Sequence, residues 1–169
     1  MIDVMLEEEL ANKNDDDIFP PVELVRVEVV KLNDDLPLPM YQSTDAAGID
    51  LYAAISTDMI VPCGGRAVIP SGIKVSIPIG YEMQIRPRSG LAAKYGITVC
   101  NAPGTVDCGF IGEIGIILIN HGNAAFVVKR GDRIAQAVLN KIYQVNFVEV
   151  DELSPTSRGD KGFGSTGTQ

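Results

Sequence analysis

One carboxylate, Asp107, stands in the stretch NAPGTVDCGFIGE (101–113), between two runs rich in β-branched residues. Pro103, Gly104 and Gly109 open this tip, so backbone N–H and C=O groups around it escape ladder pairing, and a planar base or an amide could use them as a hydrogen-bonding edge. Asp-Cys-Gly is also ordinary turn chemistry. A second cluster, Pro87-Arg88-Ser89-Gly90, leads into a short helix and converges a guanidinium, a hydroxyl and free N–H groups on one point. That suits an anion; it also describes a capped helix whose Arg88 makes a surface ion pair. Two polar residues sit among apolar neighbours: Gln136 in RIAQA, whose buried amide needs partners, and Asp50 in GIDLYA, which can pair with Arg88 or Arg133. The tail joins Arg158, Ser165 and Thr166, suited to a terminal phosphate, with Phe163, a flat face for stacking. Glycine-rich tails are also simply disordered.

These residues need a scaffold, and the pattern around them is that of short strands. Residues 96–100 and 114–120 read as a long hairpin around Asp107. LVRVEVVKL (24–32) alternates like a strand with one wet face. Further β-rich segments fall at 49–53, 59–61, 66–70, 73–77, 81–86, 97–99, 106, 113–120, 126–128 and 134–142, with Gly, Pro, Asn or Asp in nearly every gap. Such spacing predicts an antiparallel all-β sandwich or jelly roll. Only SGLAAKYG argues for an interior helix, with Ser89 as N-cap and Gly96 as its stop. The organisation that follows is an acidic arm over 1–20, a β domain over 21–157 and a tail over 158–169 that lacks the periodicity of a core strand.

Composition bounds the function. The 169 residues, 46% hydrophobic and 21% charged, suffice for one globular domain with a proper core. The net charge of −8 is concentrated at the start: residues 1–19 hold seven acids against Lys13, while the remainder holds fifteen acids and thirteen bases. A near-neutral body must bind an anion through a few placed arginines and N–H groups, and it is poorly suited to nucleic acid backbones. No apolar run reaches membrane-span length and no signal-like start is present, so an intracellular, cytoplasmic protein without a membrane partner is expected. Cys63, Cys100 and Cys108 are too few and too scattered for a disulfide framework or a structural zinc site, and the lone His121 reads as a turn residue.

Five stretches, DAAGIDLYAA (45–54), RPRSGLAAKYGI (86–97), GTVDCGFIGE (104–113), GDRIAQA (131–137) and RGDKGFGSTG (158–167), resemble in this order the five motifs of the trimeric deoxyuridine triphosphatase (dUTPase) family. The resemblance implies a distorted jelly-roll barrel, a homotrimer with sites shared between subunits, and hydrolysis of dUTP to dUMP and pyrophosphate. It makes Asp107 the base that activates water. Arg88, Ser89, Gly90 and Gln136 would hold the phosphates, with Asp50 organising the arginine and water around them. Asn101, Gly104 and Val106 would read uracil, and Arg158, Phe163, Gly164, Ser165 and Thr166 would form a lid. Magnesium (Mg2+) would be held mainly by triphosphate and water, with no protein ligands. Where the family usually has tyrosine, this chain has Phe110, which keeps the ring against the sugar without the phenol oxygen. Rival readings are a dCTP deaminase-like enzyme and a non-catalytic nucleotide sensor on the same fold.

Overall fold

The computed structural model describes residues 23–162. Ten strands and one helix follow in the order β1 (Glu28–Lys31), β2 (Ile49–Tyr52), β3 (Met59–Val61), β4 (Arg66–Ser76), β5 (Tyr81–Arg86), α1 (Ser89–Tyr95), β6 (Ile97–Val99), β7 (Gly104–Asp107), β8 (Glu113–Asn120), β9 (Phe126–Val128) and β10 (Arg133–Lys141). They form two four-stranded antiparallel sheets, β1-β4-β8-β6 and β2-β10-β5-β7, and a small β3-β9 pair. The arrangement is jelly-roll-like, and among the described residues the sheets do not close into a barrel.

Alternation builds the core. In β8, EIGIILIN, every second side chain is buried, and Ile114, Ile116 and Leu118 meet Leu51, Ile85 and Ile134 from the other sheet. Removing such side chains from water is what offsets the entropy of ordering the strands.

Three local expectations change. The segments 66–70 and 73–77 join into the single strand β4, because its first half pairs with β8 and its second with β1, across a register shift between Pro70 and Lys74. The 24–32 alternation yields a strand only at Glu28–Lys31, where β4 offers a partner. At α1 the N-cap is Arg88 and no side chain caps the helix, so Ser89 is its first residue rather than its cap. The helix does stop at Gly96, whose left-handed φ of 69° would strain any other residue.

The long hairpin exists in part. β6 and β8 pair antiparallel, Ile97 opposite Asn120, but β7, which carries Asp107, crosses to the other sheet and pairs with β5. The 33–48 connection is fastened at its start by Arg130, whose Nη2 and Nε bond the Asp35 carboxylate at 2.6 and 2.8 Å while Nη1 donates to Ile55 O at 2.8 Å. The hydrogen bonds from Arg130 hold the Asp35 carboxyl below its usual value. After Lys141, residues 142–162 form no strand, and Tyr143, Val145, Phe147 and Val150 are exposed.

Candidate active site

The arginine cluster lies where β2, β10 and the end of β5 meet. Asp50, only 12% exposed, takes Arg88 Nε on Oδ1 and Arg133 Nη1 on Oδ2, both at 3.0 Å. Both partners left open by the sequence are therefore used. Arg88 Nη1 also donates to Arg133 O at 2.8 Å, and Arg133 Nη1 to Gln42 Oε1 at 3.3 Å. One largely covered carboxylate thus anchors two guanidiniums side by side, a preorganised arrangement for an anion. They line a cleft of about 720 Å3 together with Lys129, Tyr52, Tyr95 and Phe126.

Gln136 stands opposite Asp50 on one side and Arg86 on the other. Its Nε2 donates to Pro87 O at 2.9 Å, tying the Pro-Arg-Ser-Gly turn to β10. Its Oε1 packs closely on Gly48, so a side chain there would have to displace the Gln136 amide. The first bonds of α1 run from Leu91 N and Ala92 N to Arg88 O, leaving the Ser89 and Gly90 N–H groups ahead of the ladder.

Asp107 ends β7 with its side chain exposed, while Val106 before it is buried, so Val106 can offer a ligand only its backbone. Phe110 N donates to Asp107 O at 3.0 Å, and the Phe110 ring, 44% exposed, lies over Gly112. Asn101 folds its amide over Gly104, which is buried against Ile85. These residues form a second group, apart from the first. Asp107 pairs with Glu82 at one end of β5, and Gln136 pairs with Arg86 at the other, on the opposite flank. At about 3.3 Å per residue and about 4.8 Å per strand, the two corners are about 16 Å apart. Arg158 donates from Nε to Lys161 O at 3.0 Å in an exposed turn; Phe163, Gly164, Ser165 and Thr166 lie outside the described residues.

Another cavity, about 250 Å3 and lined by Val27, Leu38, Tyr41, Ile73, Met83 and Leu139, offers no converging charged groups, so the arginine cleft is the better candidate.

Residues 34–167 match the family described as dUTPase. The chain belongs to the dUTPase family. Similar curated relatives are two proteins named deoxyuridine 5'-triphosphate nucleotidohydrolase. The one from Anaplasma marginale (strain St. Maries) is 47% identical over 147 residues, 86% of this chain and all of the relative. The one from Nautilia profundicola is 50% identical over 143 residues, 85% of this chain and 99% of the relative. Among solved structures, a mutant dUTPase of Staphylococcus bacteriophage 80alpha with dUpNHpp superposes with a TM-score of 0.72 at 25% identity, over 84% of this chain and 98% of that one. A mutant dUTPase from phage phi11 of S. aureus, described with a coordinated structural Mg(II) ion, shares the fold at 23% identity, with a TM-score of 0.66 over 76% and 98% of the two chains.

For this dUTPase, sequence reasoning located both residue groups but missed three supports. Arg133 appears there only as a possible partner for Asp50, although its place in GDRIAQA beside Gln136 was a usable signal. Gln42 and Gly48 carried none, because their roles depend on where the 33–48 connection returns.

Proposed function

We propose that this chain hydrolyses dUTP to dUMP and pyrophosphate, keeping uracil out of DNA, with Asp107 as the general base. Family membership supports the reaction, and the exposed carboxylate at the end of β7 supports the role. Water held by Asp107 loses its proton to the carboxylate as its oxygen bonds to the α phosphorus. The bond from that phosphorus to the α–β bridging oxygen breaks, and pyrophosphate leaves. Asn101, with the backbone at Gly104 and Val106, pairs with the uracil edge, and the Phe110 ring presses on the sugar. Arg88, Ser89, Gly90 and Gln136, steadied by Asp50 and Arg133, take the phosphates. Arg158, Phe163, Gly164, Ser165 and Thr166 close over the nucleotide and exclude water.

Asp50 has both oxygens committed to arginines, and among the described residues no three His, Cys, Asp or Glu side chains converge. A magnesium ion arriving with the triphosphate would be held mainly by substrate and water, and it would supply charge neutralisation for the departing pyrophosphate.

The observation that carries the assembly is the separation of the two residue groups. A separation of about 16 Å between the backbones that carry the base and the phosphate cluster on one sheet supports a site that joins the Asp107 corner of one chain to the arginine cleft of another. Such head-to-tail contacts close into rings, and the ring proposed is the homotrimer. The apolar side chains exposed over 143–153 support burial against other subunits. Among the described residues no helix is long and apolar enough to cross a membrane. The substrate is an intracellular nucleotide, which supports an intracellular location.

Pyrophosphate release from each deoxynucleoside triphosphate with magnesium, beside ammonia release from dCTP, tests the reaction. Pyrophosphate from dUTP alone is expected; ammonia from dCTP would replace the reading with a deaminase. Asp107→Asn should bind nucleotide as before and turn over roughly 10² to 10⁴ more slowly. Turnover within a few-fold of wild type would remove Asp107 from its role.

A further inference from the structure

On the outward face of β5, Glu82, Gln84 and Arg86 recur at every second residue, and their side chains join end to end. Arg86 Nε and Nη2 donate to Gln84 Oε1 at 3.0 and 2.7 Å, and Gln84 Nε2 donates to Glu82 Oε1 at 2.6 Å. Directly opposite Glu82, on β7, stands Asp107, and residues so paired present their side chains to the same face. Two carboxylates facing each other across a strand pair work against stability. The chain from Arg86 gives this arrangement a purpose: the guanidinium fixes which way the Gln84 amide points, and the amide draws the Glu82 charge along β5 and holds it there. Among the described residues β7 is the edge of its sheet, so the direction away from this fixed anion leads over the edge, beside the turn that carries Phe110.

We infer that Glu82 is a positioning residue for Asp107: its anchored carboxylate repels that of Asp107 and aims it past the sheet edge, toward water and nucleotide arriving from a neighbouring chain. The inference rests on the reading of Asp107 as base. Arg86 joins this chain to the Pro87-Arg88-Ser89 turn, so the same strand that leads into the phosphate cluster also orients the base at its other end.

Glu82→Gln removes the charge and keeps both the shape and a partner for Gln84. The expected result is a fall in kcat on the order of ten-fold, as for a slightly misaimed catalytic group, with KM for dUTP within about two-fold and an unchanged melting temperature. Gln84→Leu, which keeps the Glu82 charge but releases it, should lower kcat in the same sense, and it keeps the question open to test if the first variant does not fold. In an Asp107→Asn background Glu82→Gln should cost nothing more, because it acts through Asp107. A kcat within about two-fold of wild type overturns the inference, as does an equal fold-loss in both backgrounds, which marks packing alone. Failure of the base assignment shows separately, as near-normal turnover by Asp107→Asn itself.

Discussion

Asn120→Leu replaces the most heavily bonded buried side chain among the described residues with an apolar one of similar size. Asn120 closes β8 with no exposed surface. Its Nδ2 donates to Val61 O at 2.9 Å and Ala124 O at 2.8 Å, and its Oδ1 accepts from Gly122 N at 2.8 Å. One amide therefore ties β3, the 121–124 turn and the end of β8 together. Next to it His121 N donates to Gly96 O at 2.8 Å, so the same turn fixes the end of the helix whose start bears Ser89. In the leucine variant the Val61 carbonyl is stranded in the interior, at about 1–3 kcal/mol. The two half-buried groups can recruit water and lose about 0.5–1.5 kcal/mol each. The sum centres on about 4 kcal/mol, which for a chain of this size lowers the melting temperature by roughly 8–16 °C. Calorimetry or urea unfolding at one fixed protein concentration measures it, the fixed concentration being needed because the proposed subunit association would add to apparent stability. Asn120→Asp should be worse still, since it keeps one acceptor, loses both donors and buries a charge. A leucine variant that melts within about 3 °C of wild type would refute the reasoning and show that the turn is held by its backbone alone.

Ending the chain after Ser157 removes Arg158 and the residues beyond it but no described strand, so melting temperature and subunit number should hold while most dUTP turnover disappears; loss of folding would make the tail structural. Phe110→Ala should sharply lower the ratio of kcat/KM for dUTP over UTP, while Phe110→Tyr changes it little; an alanine variant that discriminates like wild type would reduce Phe110 to a packing residue. Asp35 has a folded pKa below its unfolded one, so its contribution is complete above the unfolded value of about 3.9 and is lost as pH falls through the folded value. Asp35→Asn should therefore lower the melting temperature at neutral pH by an amount that vanishes in strong acid; a pH-independent gap would count against the Asp35–Arg130 pair.

What the sequence made legible was local. Alternation in β8 and β5, the stop at Gly96 and the Gly/Pro punctuation placed nearly every strand, because each signal lies within a few residues of the element it forms. What it left hidden was pairing at a distance. Nothing within GTVD says that β7 abandons the 96–120 hairpin for β5, or that Pro70 continues one strand rather than ending it, since in both cases the partner's position decides. The same holds at the site. Asp50 and Gln136 stood out as polar residues among apolar ones, yet their engagement of Arg88, Arg133 and Pro87 depends on β2, β10 and β5 lying side by side. Gln42 reaches Arg133 only because the 33–48 connection folds back.

The placement of Asp107 and the arginine cleft at opposite corners of one sheet also has a genetic consequence. If each chain lends its base to one neighbour and its arginines to the other, a chain carrying Asp107→Asn and a chain carrying Arg88→Ala are each severely impaired alone but less so when co-expressed. In a mixed ring, the arginine-defective chain supplies a sound aspartate to a neighbour whose cleft is intact, and that junction works. The functional unit is then the junction between two polypeptides, and two broken alleles in one cell can complement each other where either by itself fails.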